Sequence, residues 1–474
     1  MSRPALPISA LALVLMAGCA VGPNYKRPQV DVTPQFRAQA AAEAKSLADQ
    51  PWWEVFGDPA LKDLIAQALE HNFDVRLAAQ RVEEYRARAG VARSGYYPQI
   101  TPGAALERGR LPALDYGGGV TGDEITATVN LSWELDLWGR LRRLNEAARA
   151  QYLGTQEARR GVFLATAAQV AQAYFELRDL DARLEIARAT TQAFQETYDL
   201  FNRRFTGGAA SALETARARA AQASANAFIP DLEQQIQAKE NLICFLVGRN
   251  PGPIARGAAL PDQALPPQVP AGLPSTLLER RPDLRTAEQQ MVAANAMVGV
   301  AQADYFPVLS LTGLYGGVST HLAQLFGSGR EWIVGPALNG PVLQGTSLRD
   351  RKAVAVAQWE QAKTQYQAAV TDAFGEVSSL LAAYQKLEEA ENQQAKAVAA
   401  YQDAVRLATL RYTAGLSSYV EVLEAQQQLF PAQNAQSQAR LARLVTLVNL
   451  YKALGGGWNL QDPGNPGAWT APKG

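Results

Sequence analysis

The sequence predicts a mainly α-helical fold that carries membrane β-strands and is written twice along the chain. Three observations lead there. Residues 140–205 and 347–412 form two proline-free segments of equal length, with apolar residues at three- and four-residue spacing, as at Phe163, Ala167, Val170, Tyr174 and Leu177. Residues 68–100 match residues 277–309 without a gap: Leu69-Glu70, Gly90-Val91-Ala92, Tyr96 and Pro98 recur as Leu278-Glu279, Gly299-Val300-Ala301, Tyr305 and Pro307. Residues 125–135 alternate apolar and polar at every position, the pattern of a membrane strand.

The first residues read as an export signal, residues 1–18. Arg3 supplies the positive end and residues 8–16 an apolar core too short to span a bilayer. It ends in Met16-Ala17-Gly18-Cys19, the small-residue pattern before a lipid-modified cysteine, so Cys19 is the expected acylation site and mature N-terminus. Several acyl chains at ~0.8 kcal/mol per buried methylene make a lasting anchor. Ala20, rather than Asp, follows and points to the outer membrane.

Residues 22–34 are proline-rich and extended, closing an N-terminal segment of residues 19–57. Asp58-Pro59 supply the cap and first turn of a helix over 61–94. The first repeat, residues 58–248, then reads as two strands, the long rod, a tight turn and a medium helix over 209–247. A linker of residues 249–273 leads to the second repeat, residues 274–455, with a helix over 274–303, two strands, the second rod and a helix over 416–454; a Pro/Gly-rich tail, residues 456–474, follows. At ~1.5 Å per residue each rod would be roughly 100 Å long and needs lateral partners throughout. The shorter helices, stacked end to end beside it, would supply them. Pro230 and Pro431 are expected to kink the medium helices. After each rod, Arg204-Phe205-Thr206-Gly207-Gly208 corresponds to Arg411-Tyr412-Thr413-Ala414-Gly415, with Gly208 and Gly415 where a reversal needs positive φ.

Ile125, Ala127, Val129, Leu131, Trp133 and Leu135 share one strand face. The companion strand starts near Pro98, with Ile100, Ala104 and Leu106 on one face and Pro102 weakening it. The second pair covers 308–317 and 331–338, and loops 110–122 and 318–329 join the members. Tyr96, Tyr97, Trp133, Trp138, Tyr305, Phe306 and Trp332 lie at the ends, as an interfacial girdle would. Four strands cannot close a barrel. Membrane strands therefore require several chains: two copies give eight strands and three give twelve.

Composition narrows the function. Lys+Arg and Asp+Glu both number 45, so no field favours nucleic acid. Histidine occurs only at 71 and 321 and cysteine only at 19 and 244, which leaves almost no raw material for a metal centre, a thiol pair or a Ser-His-Asp triad, and no motif surrounds either histidine. No enzyme and no cofactor beyond the lipid on Cys19 is expected. Cys244, within Leu242-Ile243-Cys244-Phe245-Leu246, reads as a small buried hydrophobe. The contrasting structural class is a periplasmic coiled-coil lipoprotein without a pore, in which the strands form a soluble sheet.

The run Cys19-Ala20-Val21-Gly22-Pro23-Asn24-Tyr25, the segment Trp133-Glu134-Leu135-Asp136-Leu137-Trp138-Gly139-Arg140 and the terminal Leu450-Tyr451-Lys452-Ala453-Leu454-Gly455-Gly456-Gly457-Trp458 resemble the outer-membrane efflux family, the TolC-like exit ducts, in its OprM/NodT-like lipoprotein branch. The resemblance implies a homotrimer with a 12-stranded outer-membrane β-barrel continuous with a 12-helix periplasmic α-barrel. An equatorial collar would come from residues 25–57, 249–273 and the tail. It implies a passive conduit for small molecules such as drugs, engaged by a periplasmic adaptor and an inner-membrane pump. At the closed end of such ducts, acidic and apolar rings form the constriction. By match to that motif, Glu421 and Glu424 take the acidic positions, Val420 the apolar one, and Tyr412 that of a helix-latching tyrosine; Ser417 stands where some relatives carry the arginine partner. The turns, with Gly207, Gly208, Gly415 and Ser417, are the implied adaptor contacts. Gln344-Gly345-Thr346 departs from the Asp-Gly-Gly of many relatives.

Overall fold

A computed structural model of the chain describes residues 20–37, 39, 46–50, 55–112, 119–266, 269–342 and 344–456. The signal segment, Cys19, Trp458 and the tail from residue 457 onward lie outside the described residues. The order is α1 (Pro59–His71), α2 (Phe73–Ser94), β1 (Gln99–Pro112), β2 (Gly119–Leu135), α3 (Arg140–Thr206), α4 (Ala212–Leu246), α5 (Leu277–Arg280), α6 (Pro282–Ala303), β3 (Val308–Ser319), β4 (Arg330–Asn339), α7 (Ser347–Thr413) and α8 (Tyr419–Ala453). Both rods are single helices of 67 residues, and α4 and α8 continue through Pro230 and Pro431. Two compact units divide the residues: one holds 1–29, 81–156 and 286–368, the other 30–80, 157–285 and 369–474. Each repeat contributes to both.

The first unit carries the antiparallel sheet β1-β2-β3-β4. Register confirms the alternation. Ile100 lies across from Leu131 and Leu106 across from Ile125; Val129 meets Tyr315, Trp133 meets Leu311, and Tyr315 meets Trp332. Cross-strand partners share a face, so these residues form one apolar surface over all four strands. Much of it is uncovered in the single chain: Ile100, Leu106, Tyr315, Trp332, Val334 and Leu338 are each more than half exposed. Strand pairing continues to Pro112 and resumes at Gly119, so the expected loop over 110–122 is shorter than the sequence indicates. Pro102 lies within β1, paired across from Val129, and the ladder continues through it. Two of the aromatic residues at the strand ends are tied to backbone: Trp133 Nε1 donates to Tyr96 O at 2.9 Å and Trp138 Nε1 to Pro307 O at 2.8 Å, and Trp138 stacks on Phe306, whereas Trp332 is exposed.

The same unit seats residues 20–27. Val21 N donates to Trp138 O, and the buried Arg143 donates to Val21 O, Gly22 O and Asn24 Oδ1. Asn295 Nδ2 donates to Pro23 O, while Tyr25 and Arg27 both donate to Glu288. Side chains of α3 and α6 and the Trp138 carbonyl thus hold this strap in place.

In the second unit, Asp58 caps α1 as its sequence position predicts, accepting from Ala60 N and Leu61 N. It also accepts from Tyr174 Oη at 2.9 Å and Gln263 Nε2 at 2.7 Å, which ties the linker to α3. Burial would raise this carboxyl, but the hydrogen bonds from Gln263, Tyr174, Leu61 and Ala60 outweigh it and hold it below the usual carboxylate range. Asp179 goes the other way. Burial raises it despite a 2.5 Å bond from Ser437 and the nearby Arg183. Segments 46–50 and 270–272 meet through the Ser46–Ala271 bridge and Leu47 N to Pro270 O. Cys244 is fully buried.

The two helices expected over 61–94 and 274–303 are each broken, at Asn72 and at Arg281. Asn72 Nδ2 donates to Leu246 O at the end of α4, while its Oδ1 accepts from Asp74 N and Val75 N at the start of α2. One side chain thus meets orphan groups of two helix ends that face each other. Arg281, at the duplicate position, donates to Ala453 O at the end of α8 and pairs with Glu376 and Asp283. Gly248 and Gly455, at φ +72° and +77°, lie against His71 and Arg280 respectively, closing both joints.

Candidate functional site

The residues singled out at the turns all lie in the second unit. Both rods end in the same hydrogen-bonded reversal. Gly207 N, Gly208 N and Ala209 N donate to Arg203 O, Phe205 O and Arg204 O; Ala414 N, Gly415 N and Leu416 N donate to Leu410 O, Tyr412 O and Arg411 O. The bond reaching back five residues marks a Schellman ending, and Gly208 and Gly415 both take φ +72°. Leu213 and Leu416 are left exposed here.

Below the turns, Phe194, Phe201, Ala218, Ala221, Ala225, Ala408, Tyr419, Val422 and Leu423 make one apolar cluster from α3, α4, α7 and α8. Tyr412 packs on its edge, 5.2 Å from the Tyr419 ring and 6.4 Å from that of Phe201. The Tyr412 hydroxyl accepts from Arg204 Nη1, and the guanidinium lies over the Tyr412 ring at 5.4 Å. Tyr412 thus joins the ends of the two rods within one chain, through an arginine on α3 rather than at position 417. Sequence reasoning missed Arg204. Its repeat of Arg411 was visible, but the side chain it reaches is set only by packing. Tyr419 is buried, which raises its phenol above the usual range; its hydroxyl shares a 2.7 Å hydrogen bond with Thr197.

The predicted acidic residues separate. Glu421 is exposed and faces Arg411, with Nε 3.6 Å from Oε2. Glu424 and Val420, one helical turn apart, instead line a groove of about 480 Å³ between α4 and α8, with Arg217 and Phe228 on the opposite wall and Phe194 also lining it. Ser417 is half-buried beside the turn. Glu421 and Glu424 therefore act on different surroundings, and the arrangement offers carboxylates, a cation and aromatic rings but no nucleophile–base pair. Among the described residues no group of three or more His, Cys, Asp or Glu could hold a metal ion, and no helix is long and apolar enough to cross a membrane.

Comparison with known proteins follows the same architecture. Residues 64–249 and 273–456 match the family described as outer membrane efflux protein. The chain is 36% identical over 468 residues to the toluene efflux pump outer membrane protein TtgC of Pseudomonas putida, covering 97% of this chain and 96% of that protein. It is 32% identical over 455 residues to the cation efflux system protein CusC of Escherichia coli, covering 95% and 97%. The open-state structure of the Neisseria gonorrhoeae MtrE outer membrane channel aligns with a TM-score of 0.82 at 32% identity, over 93% of this chain and 98% of that one.

Proposed function

The chain belongs to the outer membrane efflux protein family, and from that premise we propose that it is the passive exit duct of a tripartite efflux or type I-like export system. It resides in the outer membrane of a Gram-negative cell and extends into the periplasm. The observation that carries the reading is the four-stranded sheet with one continuous apolar face and two unpaired outer edges. Lipid cannot satisfy an open edge, so further copies must complete the barrel. Three copies make a homotrimer of twelve strands, with α3 and α7 beside the shorter helices as its staves. The seating of residues 20–24 against Trp138, beyond the end of β2, and Arg143 of α3 fits a chain anchored by a lipid on Cys19. An adaptor engaging the turns at Gly207, Gly208, Gly415 and Ser417, and an inner-membrane pump, supply selection and energy. Tyr412, Val420, Glu421 and Glu424 form the gate, and no residue is assigned a catalytic role. Two relatives of similar identity are named for toluene and for a cation, which supports a duct that leaves cargo choice to its partners.

The mass of the detergent-solubilised protein tests the assembly: a trimer is expected, and a stable monomer overturns the shared barrel. Planar-bilayer recordings test the gate. Glu421→Gln with Glu424→Gln should alter cation selectivity, and unchanged conductance and selectivity would remove both from it.

A further inference from the structure

The far ends of the strands, away from the helices, sort charge by face. On β1, Arg108 and Arg110 continue the parity of Ile100 and Leu106, and on β4 Arg330 continues that of Trp332 and Val334. Glu107, across from Glu124, and Glu331 take the opposite face. The apolar face therefore ends in arginines and the polar face in carboxylates. Among the described strand residues Asp123, across from Arg108, is the one acid on the apolar side. Its 3.6 Å ion pair with Arg108 is exposed and therefore weak. Arg110 and Arg330 are exposed and make no ion pair among the described residues.

Height along the strands places these cations. From Trp133 to Asp123, β2 rises roughly 25 Å at ~3.3 Å per residue and a tilt of ~40°, the height of an outer-membrane apolar band. The Tyr315–Trp332 pair lies one same-face step below Arg330, where interfacial aromatics belong. The arginines thus stand just outside the hydrocarbon, at the level of lipid headgroups. The repeat aligns Gln99 with Val308, the first residues of β1 and β3, and so Arg108 with Gly317, the partner of Arg330. Arg108 and Arg330 are therefore at the same step from the helices. β1 and β4 are also the two free edges of the sheet, so a closed ring of copies sets Arg330 of one copy beside Arg108 and Arg110 of the next.

We propose that each seam between copies binds the phosphate groups of a phosphorylated glycolipid of the outer leaflet, held by Arg330 of one copy and Arg108 and Arg110 of the next, and that the lipid thereby fastens the seam. Arginine suits a phosphate monoester because its guanidinium fork meets two oxygens at once. The lipid-facing parity selects a headgroup over an anion in transit, which would instead pass the carboxylates of the other face. The inference rests on the shared barrel proposed above and names a partner for its outer rim.

Titrating the intact protein in neutral detergent with bisphosphorylated lipid A tests the site. Native mass spectrometry reads bound lipid, and heating reads the midpoint at which the trimer dissociates. Bound lipid should raise that midpoint, because a ligand held across the seam favours the assembled form. An arginine near a charged surface contributes about five-fold, so Arg330→Gln should weaken binding about five-fold. Adding Arg108→Gln and Arg110→Gln should bring the loss to roughly a hundredfold and abolish the thermal gain. Arg330→Lys keeps the charge and should retain most of the binding. Glu107→Gln with Glu124→Gln, on the other face, should leave it unchanged. Equal binding by the triple variant, or of lipid A stripped of its phosphates, overturns the site. Binding that does not raise the dissociation midpoint overturns its place at the seam, and the same gain from inorganic phosphate alone rejects the lipid. A monomer in the unmodified sample overturns the shared barrel and the seam together, whereas a trimer indifferent to lipid A rejects the seam site alone.

Discussion

The two glycine turns share a backbone and differ in chemistry. Hydrogen bonds fall at corresponding positions and both glycines take φ +72°. In the first turn, Ser211 and Glu214 form a reciprocal capping box. In the second, Ser418 makes no side-chain cap, and Glu421, at the position of Glu214, faces Arg411 instead. Phe205 is exposed, whereas its counterpart Tyr412 is held by Arg204. The joints repeat the theme: neutral Asn72 serves two helix ends in the first repeat, while Arg281 recruits Glu376 and Asp283 in the second. Backbone reversal is demanded by the fold and is kept in both copies. Side chains that do not set the reversal were free to diverge, and the second copy carries the polar links among the residues proposed for the gate.

The sharpest way to break this comparison is at the joint glycines. A Cβ on Gly248 would stand 2.4 Å from His71 O, whereas one on Gly455 would stand 3.0 Å from the nearest Arg280 atom, and both φ values are positive. Gly248→Ala should cost about 3 kcal/mol or more and Gly455→Ala about 1–2, seen as unequal losses in the midpoint of thermal unfolding. Equal losses would show the joints to be interchangeable. Arg281→Ala leaves Glu376, Asp283 and Ala453 O without their partner and should cost about 2–3 kcal/mol, discounted for the exposure of Asp283 and the partial exposure of Glu376, against about 1–2 for Asn72→Ala in the same assay.

The buried carboxyls sharpen the comparison through pH. Asp58 has a lowered folded-state pKa, so its contribution is present above its unfolded value and is lost as pH falls through the folded one. Asp179 is raised, so its contribution is complete below the unfolded value and is lost as pH rises through the folded one. Unfolding midpoints measured across the acid range should therefore flatten on the acid side in Asp58→Asn, and Asp179→Asn should remove a component of opposite slope. The smallest effect belongs to the caps. Glu214→Ala should cost about 0.5–1 kcal/mol, while Glu421→Ala should stay within about 0.5 kcal/mol yet alter channel selectivity, measured as reversal potential.

Much of this is legible in the amino-acid sequence alone. Strand alternation survives as a shared face because side-chain parity is a property of one strand, and the register of Ile100 with Leu131 only extends it. The breaks at Asn72 and Arg281 were less visible, since apolar spacing runs past both. Pro282 was the one available signal, because the residue before proline is pushed out of the helical region. Arg204 as the partner of Tyr412, the strap on Arg143, and Arg217 facing Glu424 had no local signature. Each brings to one place residues more than a hundred positions apart.

By itself the sequence determined the duplication, the uninterrupted rods, the two glycine reversals and the apolar face of the strands. These follow from periodicity and backbone sterics, which act over a few residues. Tertiary structure alone decided which charges meet. It separated Glu421 from Glu424, gave Tyr412 its arginine and set Arg217 across a groove from Glu424, because such pairings depend on how helices pack and no spacing along the chain encodes them.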